Sequence, residues 1–266
     1  MLYIGTMSTQ EASKINQLLA TQPTGIVLLS SWLTENGYSP DLQKRYRKSK
    51  WLTSIGTGAM IRTGDQVDYL GAIYALQNQA GLSIHPGAKN ALQLQGKAHY
   101  LELGRGKVNL FGVKGETLPL WFKSKKWDVS LEYHATSFLN TQIGLSKYET
   151  NNFSIEISGP VRAMMECLYL SPSKFDLVEG YQLMEGLNAL SPDQVQQLLE
   201  SCNSVKVKRL FLYLAEKAGH QWFSKIKLNN IDLGSGKRSI VKKGVYISKY
   251  EITVPKELEI DEKAGL

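Results

Sequence analysis

Ser39-Pro40-Asp41 firmly marks the start of a helix in this 266-residue chain, and the same tripeptide recurs at Ser191-Pro192-Asp193. The serine hydroxyl can accept from a free amide, the proline has no amide to satisfy at the first helical position, and the aspartate faces the positive end of the macrodipole. The helix that follows is strongly basic, carrying Lys44, Arg45, Arg47, Lys48 and Lys50 before Trp51. Just upstream, Ser30 or Ser31 can cap another helix through Glu35, which ends at the turn pair Asn36-Gly37. Two helices joined by a short glycine-containing turn, the second one basic, outline a helix-turn-helix. Trp51-Leu52 and Ala59 to Arg62 then flank the polar, glycine-rich Thr53 to Gly58, which reads as two short strands around a tip, a wing. The expected fold is α+β: an N-terminal winged helix-turn-helix followed by a larger mixed α/β domain.

Helical spacing places Leu42, Arg45, Tyr46 and Ser49 on one side of the basic helix, with Leu42 and Tyr46 packing inward. Gln43, Lys44 and Arg47 are then expected to face a major groove, where Arg can pair with guanine and Gln with adenine. Lys48 and Lys50 suit phosphates. Ser39 at the helix start, and Thr57 and Arg62 on the wing, complete an expected DNA-binding set of Ser39, Gln43, Lys44, Arg47, Lys48, Lys50, Thr57 and Arg62. A Lys/Arg face in an arbitrary helix is usually just solvated; the capped helix before it and the hairpin after it favour double-stranded DNA as the partner.

Before this motif, residues 9–22 carry Ala12, Ile15, Leu18 and Leu19 at helical spacing. After it, Val67 to Gln79 and Ala88 to Leu94 read as helices, and the texture changes near Gly96. The expected domains are 1–95, with its core in 8–64, and 96–266. The second begins with strand-like runs, Val108 to Phe111, Leu118 to Phe122, Val129 to Tyr133 and Phe153 to Ile157. Helices are expected at Pro160 to Leu170, Asp176 to Leu190, Gln194 to Ser201 and Val205 to Lys217, with closing strands at Ser239 to Val241, Val245 to Ile247 and Tyr250 to Val254. Lys206, Lys208 and Arg209 at one helix start, and Lys237 and Arg238 in a glycine-rich loop, are expected to form one positive surface. Gly234 to Arg238 lacks the spacing of a phosphate-binding P-loop.

With 42% hydrophobic residues the chain can build a core, so disorder is not expected. No run reaches the roughly 18 apolar residues of a membrane helix, and Met1 to Met7 does not resemble a secretory leader; a cytoplasmic, nucleoid-associated protein without membrane contact is expected. Cys167 and Cys202 lie far apart without a Cys/His cluster and read as small buried hydrophobes. His85, His99, His134 and His220 are dispersed, with His85 in a structured loop. Neither a metal, a cofactor nor a catalytic set is expected. The alternative is an enzyme that uses the loop Gly234 to Arg238 to reverse or block a modification.

Longer stretches carry a resemblance. They are Asp41 to Leu52 with Ile55-Gly56, Tyr69 to Gln77, Ala91 to Gly96 with His99-Tyr100, Ser158-Gly159-Pro160 with Arg162-Ala163, Leu183 to Leu187, Val205 to Leu212 and Asp232 to Arg238. In these the chain resembles the AbiEi family, antitoxins of type IV abortive-infection toxin-antitoxin systems, from about residue 8 to 255. The resemblance implies a two-domain regulator. Its winged helix-turn-helix would bind inverted repeats in the promoter of its own operon, and its C-terminal domain would serve antitoxicity against a nucleotidyltransferase toxin without a stable complex.

Overall fold

The computed structural model describes residues 13–97, 106–140 and 142–260. In chain order it opens with α1 (Lys14–Thr21), β1 (Leu28–Leu29), α2 (Ser30–Glu35), α3 (Pro40–Lys48), β2 (Leu52–Gly56), β3 (Ala59–Arg62) and α4 (Tyr69–Asn78). Next come β4 (His85–Pro86), α5 (Ala88–Leu94), β5 (Lys107–Val113), α6 (Leu120–Ser124), β6 (Ser130–Thr136), β7 (Leu145–Glu149) and β8 (Ser154–Ser158). The chain closes with α7 (Pro160–Leu170), α8 (Leu177–Glu185), α9 (Pro192–Ser201), α10 (Val205–Lys217), β9 (Arg238–Ser239), β10 (Val245–Ile247) and β11 (Ile252–Val254). The fold is α+β, with an N-terminal unit and a larger second one. Residues 9–12 of the first expected helix and His99-Tyr100 lie outside the described residues.

The N-terminal unit takes the described residues through Gly81, together with Pro119–Lys126 and Glu149–Phe153 from further along the chain. Its sheet has the order β1-β3-β2, antiparallel throughout, with Leu28 opposite Met60 and Leu52 opposite Arg62. Ile15 and Leu18 of α1, Leu33 of α2, Tyr46 of α3, Leu52, Met60, Ile26 and Leu28 form its core, and Phe153 packs against them. The apolar residues three and four apart in α1 and α3 put one face of each helix on that core. Phe153 also meets Tyr74 of α4 edge-on, with ring centroids 5.4 Å apart.

The second unit holds Leu82–Leu118, Trp127–Tyr148 and the chain from Ser154. Helix α7 is buried along nearly its whole length, with α5 and α10 packed on it. A three-stranded sheet has the order β4-β5-β6, with β4 antiparallel and β6 parallel to β5. Strands β7 and β8 form a pair, and β10-β11-β9 close the unit.

Helix α5, which lies before the expected boundary at Gly96, clusters with the second unit, where it packs on α7 and its Ala88, Ala91 and Leu92 are buried. Leu118 to Phe122, read as strand, instead holds helix α6, with Trp121 and Phe122 buried and Leu120 exposed. A short continuous apolar run has no period that separates strand from helix. The expected helix Asp176 to Leu190 ends earlier, at Glu185. Both cysteines are free and buried.

Candidate nucleic-acid interface

Helix α3 begins as its sequence dictates. Ser39 is the N-cap and its hydroxyl accepts from the Leu42 amide, Pro40 opens the helix, and Asp41 lies in the first turn. The far end is a Schellman closure: the Trp51 amide donates to the Tyr46 carbonyl at 2.9 Å and the Lys50 amide to the Arg47 carbonyl at 3.1 Å. Lys50 occupies the left-handed position of that closure, with φ 56°. Lys44, Arg45, Arg47, Lys48 and Lys50 are all exposed. The inward face is Leu42, Gln43 and Tyr46, and burial raises the Tyr46 pKa above its usual value.

Gln43, expected to read a base, is inside the fold, 1% exposed. Its amide nitrogen lies within donating distance of the Ser30 carbonyl (3.1 Å), Thr34 Oγ1 (3.1 Å) and the Tyr38 carbonyl (2.8 Å). Its oxygen accepts from the Ser30 hydroxyl at 2.6 Å. These bonds tie α2, the connecting turn and α3 together. The inward face is thus centred on Gln43 as well as Leu42 and Tyr46, and Arg45, placed by spacing on the side of Leu42 and Tyr46, is exposed.

Beside α3 stands the β2–β3 hairpin. Its tip, Thr57-Gly58, is exposed, and Gly58 takes φ 78°, a conformation that favours glycine in a tight turn. The Gly58 carbonyl accepts from the Ser30 amide at 2.8 Å, fixing the tip to the start of α2. Arg47 crosses toward the hairpin, with Nη1 3.2 Å from the Met60 sulfur. Between Arg47 and the tip lies an open cleft of about 520 Å³, also lined by Ser30 and Ser54. Arg62 is not at the tip. It stands at the other end of β3, half-buried, with its guanidinium donating to the Gln22 carbonyl at the end of α1. Sequence spacing also did not mark Trp51, which is 48% exposed where α3 passes into β2.

Two family models cover most of the chain. One describes the N-terminal domain of AbiEi antitoxin transcriptional regulators and matches residues 11–103; the other describes the AbiEi antitoxin transcriptional regulator of type IV toxin-antitoxin systems and matches 105–255. The chain belongs to the AbiEi antitoxin family. It is also similar in fold to the RV2827C protein from Mycobacterium tuberculosis, whose crystal structure superposes with a TM-score of 0.58 at 16% identity, covering 90% of this chain and 89% of that one. No curated protein matches the chain.

In this AbiEi family member the second basic set does not form one surface. Arg209 is 1% and Lys208 4% exposed. The Arg209 guanidinium donates to the carbonyls of Leu233 (2.8 Å), Gly236 (2.7 Å) and Gly234 (3.1 Å), and to a Glu251 carboxylate oxygen at 3.1 Å. The Lys206 ammonium donates to the carbonyls of Tyr169 and Ser171, both at 2.7 Å, and burial lowers its pKa. Lys237 and Arg238 remain exposed, Lys237 lying 5.1 Å from the Tyr246 ring centre. Helix α10 is buried on most sides, so charges within it turn to backbone carbonyls.

A charged cluster in the same unit was not singled out from the sequence. Glu166, fully buried on α7, accepts from Arg162 Nε (3.0 Å), Ser158 Oγ (2.7 Å) and the Ala88 amide (2.9 Å), and its Oε1 lies 3.4 Å from His85 Nε2. Burial works against its charge, yet the His85 hydrogen bond and the Arg162 guanidinium hold its pKa below the usual value. Each of these groups has its partner, which makes the cluster a tie between α7 and the start of α5. Among the described residues, no group of three or more His, Cys, Asp or Glu side chains could hold a metal ion, and no helix is long and apolar enough to cross a membrane.

Proposed function

We propose that this AbiEi antitoxin represses its own operon by laying α3 in the major groove of an inverted repeat, as a winged helix-turn-helix with β2–β3 as the wing. The observation that carries this reading is the division of α3. Lys44, Arg45, Arg47 and Lys48 face solvent beside an exposed hairpin tip, while Leu42, Gln43 and Tyr46 hold the helix from behind. A rigid helix with cations on one side and a fixed orientation meets the geometric need of groove reading. Lys44 and Arg47 are assigned to base edges, Lys48 and Lys50 to phosphates, and Ser39 and Thr57 to the backbone at the two ends of the footprint. Gln43 and Arg62 drop out of this set because their side chains are used within the fold.

Repression belongs to the N-terminal unit in this reading, with the domain border between residues 81 and 105. Antitoxicity toward a nucleotidyltransferase toxin, without a stable complex, belongs to the second. The test is a gel-shift titration on the operon's own promoter against scrambled DNA of equal length. Arg47→Ala should cost about 1 to 3 kcal/mol and relax preference at one position. Lys48→Ala should weaken binding to all sequences and lower the salt slope by about one. Equal affinity for promoter and scrambled DNA would end the reading.

A further inference from the structure

Helix α6 sits in the chain between two strands of the second unit, yet it packs in the first. Strands β5 and β6 are parallel neighbours, so their connection must cross over, and α6 is the helix of that crossover. Its main chain, at Trp121, lies against the wing. At Gly56, the last residue of β2, an added Cβ would lie 2.8 Å from Trp121 Cβ and 3.1 Å from Trp121 Cα. Real Cβ atoms essentially never come within 3.0 Å of a neighbour, so any residue but glycine at position 56 would force α6 or β2 to shift.

The place of this contact matters. Strand β2 is an edge of the sheet β1-β3-β2, and a hairpin with one free edge is weakly held on its own. Gly56 directly precedes the tip Thr57-Gly58, and the pairing of β2 with β3 is irregular between Ser54 and Gly56. The tip is therefore fixed by the Ser30 amide on Gly58 and by Trp121 on Gly56. Trp121 and Phe122 are buried edge to face, 5.6 Å between centroids, while Leu120 beside them is 72% exposed. That buried pair is what anchors the helix.

We propose that α6, seated by Trp121 against Gly56, positions the wing, so that a segment lying between two strands of the second unit sets how tightly the protein holds its operator. The operator part rests on the DNA reading given above; the positioning of the wing does not. Trp121 is a positioning residue, and none of its atoms need touch DNA.

The full-length chain is compared with Trp121→Ala, Trp121→Phe and Gly56→Ala, first without DNA. Amide hydrogen exchange over 52–58 should accelerate about tenfold or more in Trp121→Ala and Gly56→Ala, stay slow in Trp121→Phe, and remain unchanged in α1 and α3. On promoter DNA, the first two variants should bind about tenfold more weakly and lose protection only at the outer edge of the footprint, keeping their ranking of base changes under α3. Wing exchange as slow as in the wild type would overturn the proposal, and so would acceleration spread evenly over the N-terminal unit, which would make Trp121 core filling. If exchange responds as expected while the wild type shows no preference for its promoter, positioning stands and the DNA reading falls.

Discussion

Helices α3 and α10 carry similar clusters of lysine and arginine, and the fold treats them in opposite ways. In α3 the cations face solvent; in α10, Lys208 and Arg209 are inside. The difference is the apolar arc around them. The apolar members of α3 are Leu42 and Tyr46, enough to seat one face. Helix α10 runs through Val207 and then Leu210 to Ala215, buried on nearly every side. A helix that is apolar all round goes inside, and any charge within it must find partners there. Arg209 does so by gathering the carbonyls of the 233–236 loop. The glycine-rich loop is thus organised around a cation of its own.

The most severe test of that contrast is Arg209→Met. Removing the guanidinium leaves the carbonyls of Leu233, Gly234 and Gly236 without their donor, and should destabilise the second unit by about 3 kcal/mol in urea unfolding of the full chain. Lys237→Ala, on the exposed side of the same loop, should change stability by about 0.5 kcal/mol or less. Equal costs for the two would break the contrast. Within α3, Gln43→Ala should cost about 2 kcal/mol, because buried partners in α2 and the turn lose their hydrogen bonds. The ranking of operator variants should stay as it is; a change of preference at a single base pair would return Gln43 to the groove.

Much of the N-terminal unit was legible because its signals are local. The cap at Ser39-Pro40-Asp41, the turn at Asn36-Gly37 and the glycine at the hairpin tip each specify a conformation within a few residues. Pro160–Leu170, Val205–Lys217 and Ala88–Leu94 were likewise bounded correctly by caps and periodicity. The misses were non-local. Gln43 differs from an exposed glutamine only through Ser30, Thr34 and Tyr38, whose carbonyls and hydroxyl converge on it once α2 is in place. Trp121 has no signal at 121; the trace it leaves is a glycine 65 positions earlier, with no positive φ to explain it. Arg162 and Glu166, four apart in an otherwise apolar helix, were a readable hint that a buried pair was needed there.

Acid should separate the two units in a milder way. On β6, hydrogen bonds from Lys107 and Lys174 bring the Glu132 pKa from its usual 4.5 to about 2. A carboxylate with a depressed folded pKa contributes stability that is complete above 4.5 and disappears as the pH falls toward 2. His134, two residues on, has its pKa lowered chiefly by burial, and its Nε2 lies 2.9 Å from Asn109 Oδ1. Its neutral form is the one the fold prefers, so stability also falls as the pH drops below the ordinary histidine range. Stability of the second unit should therefore decline on acidification in two stages. His134→Asn should flatten the upper stage and Glu132→Gln the lower, each measured by urea midpoints across pH. A profile unchanged by both would mean that neither group is linked to folding.

A modest effect singles out Lys50, where stability and binding should move in opposite directions. At φ 56° it holds the left-handed position that closes α3, a place that glycine fills without a Cβ penalty of about 1 kcal/mol. The Schellman hydrogen bonds from the Lys50 and Trp51 amides are backbone bonds and survive a change of side chain. Lys50→Gly should therefore raise stability by up to about 1 kcal/mol, less whatever freedom glycine adds to the unfolded chain. If the ammonium meets a phosphate, the same change should weaken DNA binding without altering sequence preference and reduce the salt slope by about 0.9. A non-glycine residue kept at a strained angle is a reason to look for function, and this pair of measurements separates function from strain. Stability gained with no loss of affinity would remove Lys50 from the interface. Stability lost would show that its aliphatic stem packs usefully against the end of the helix.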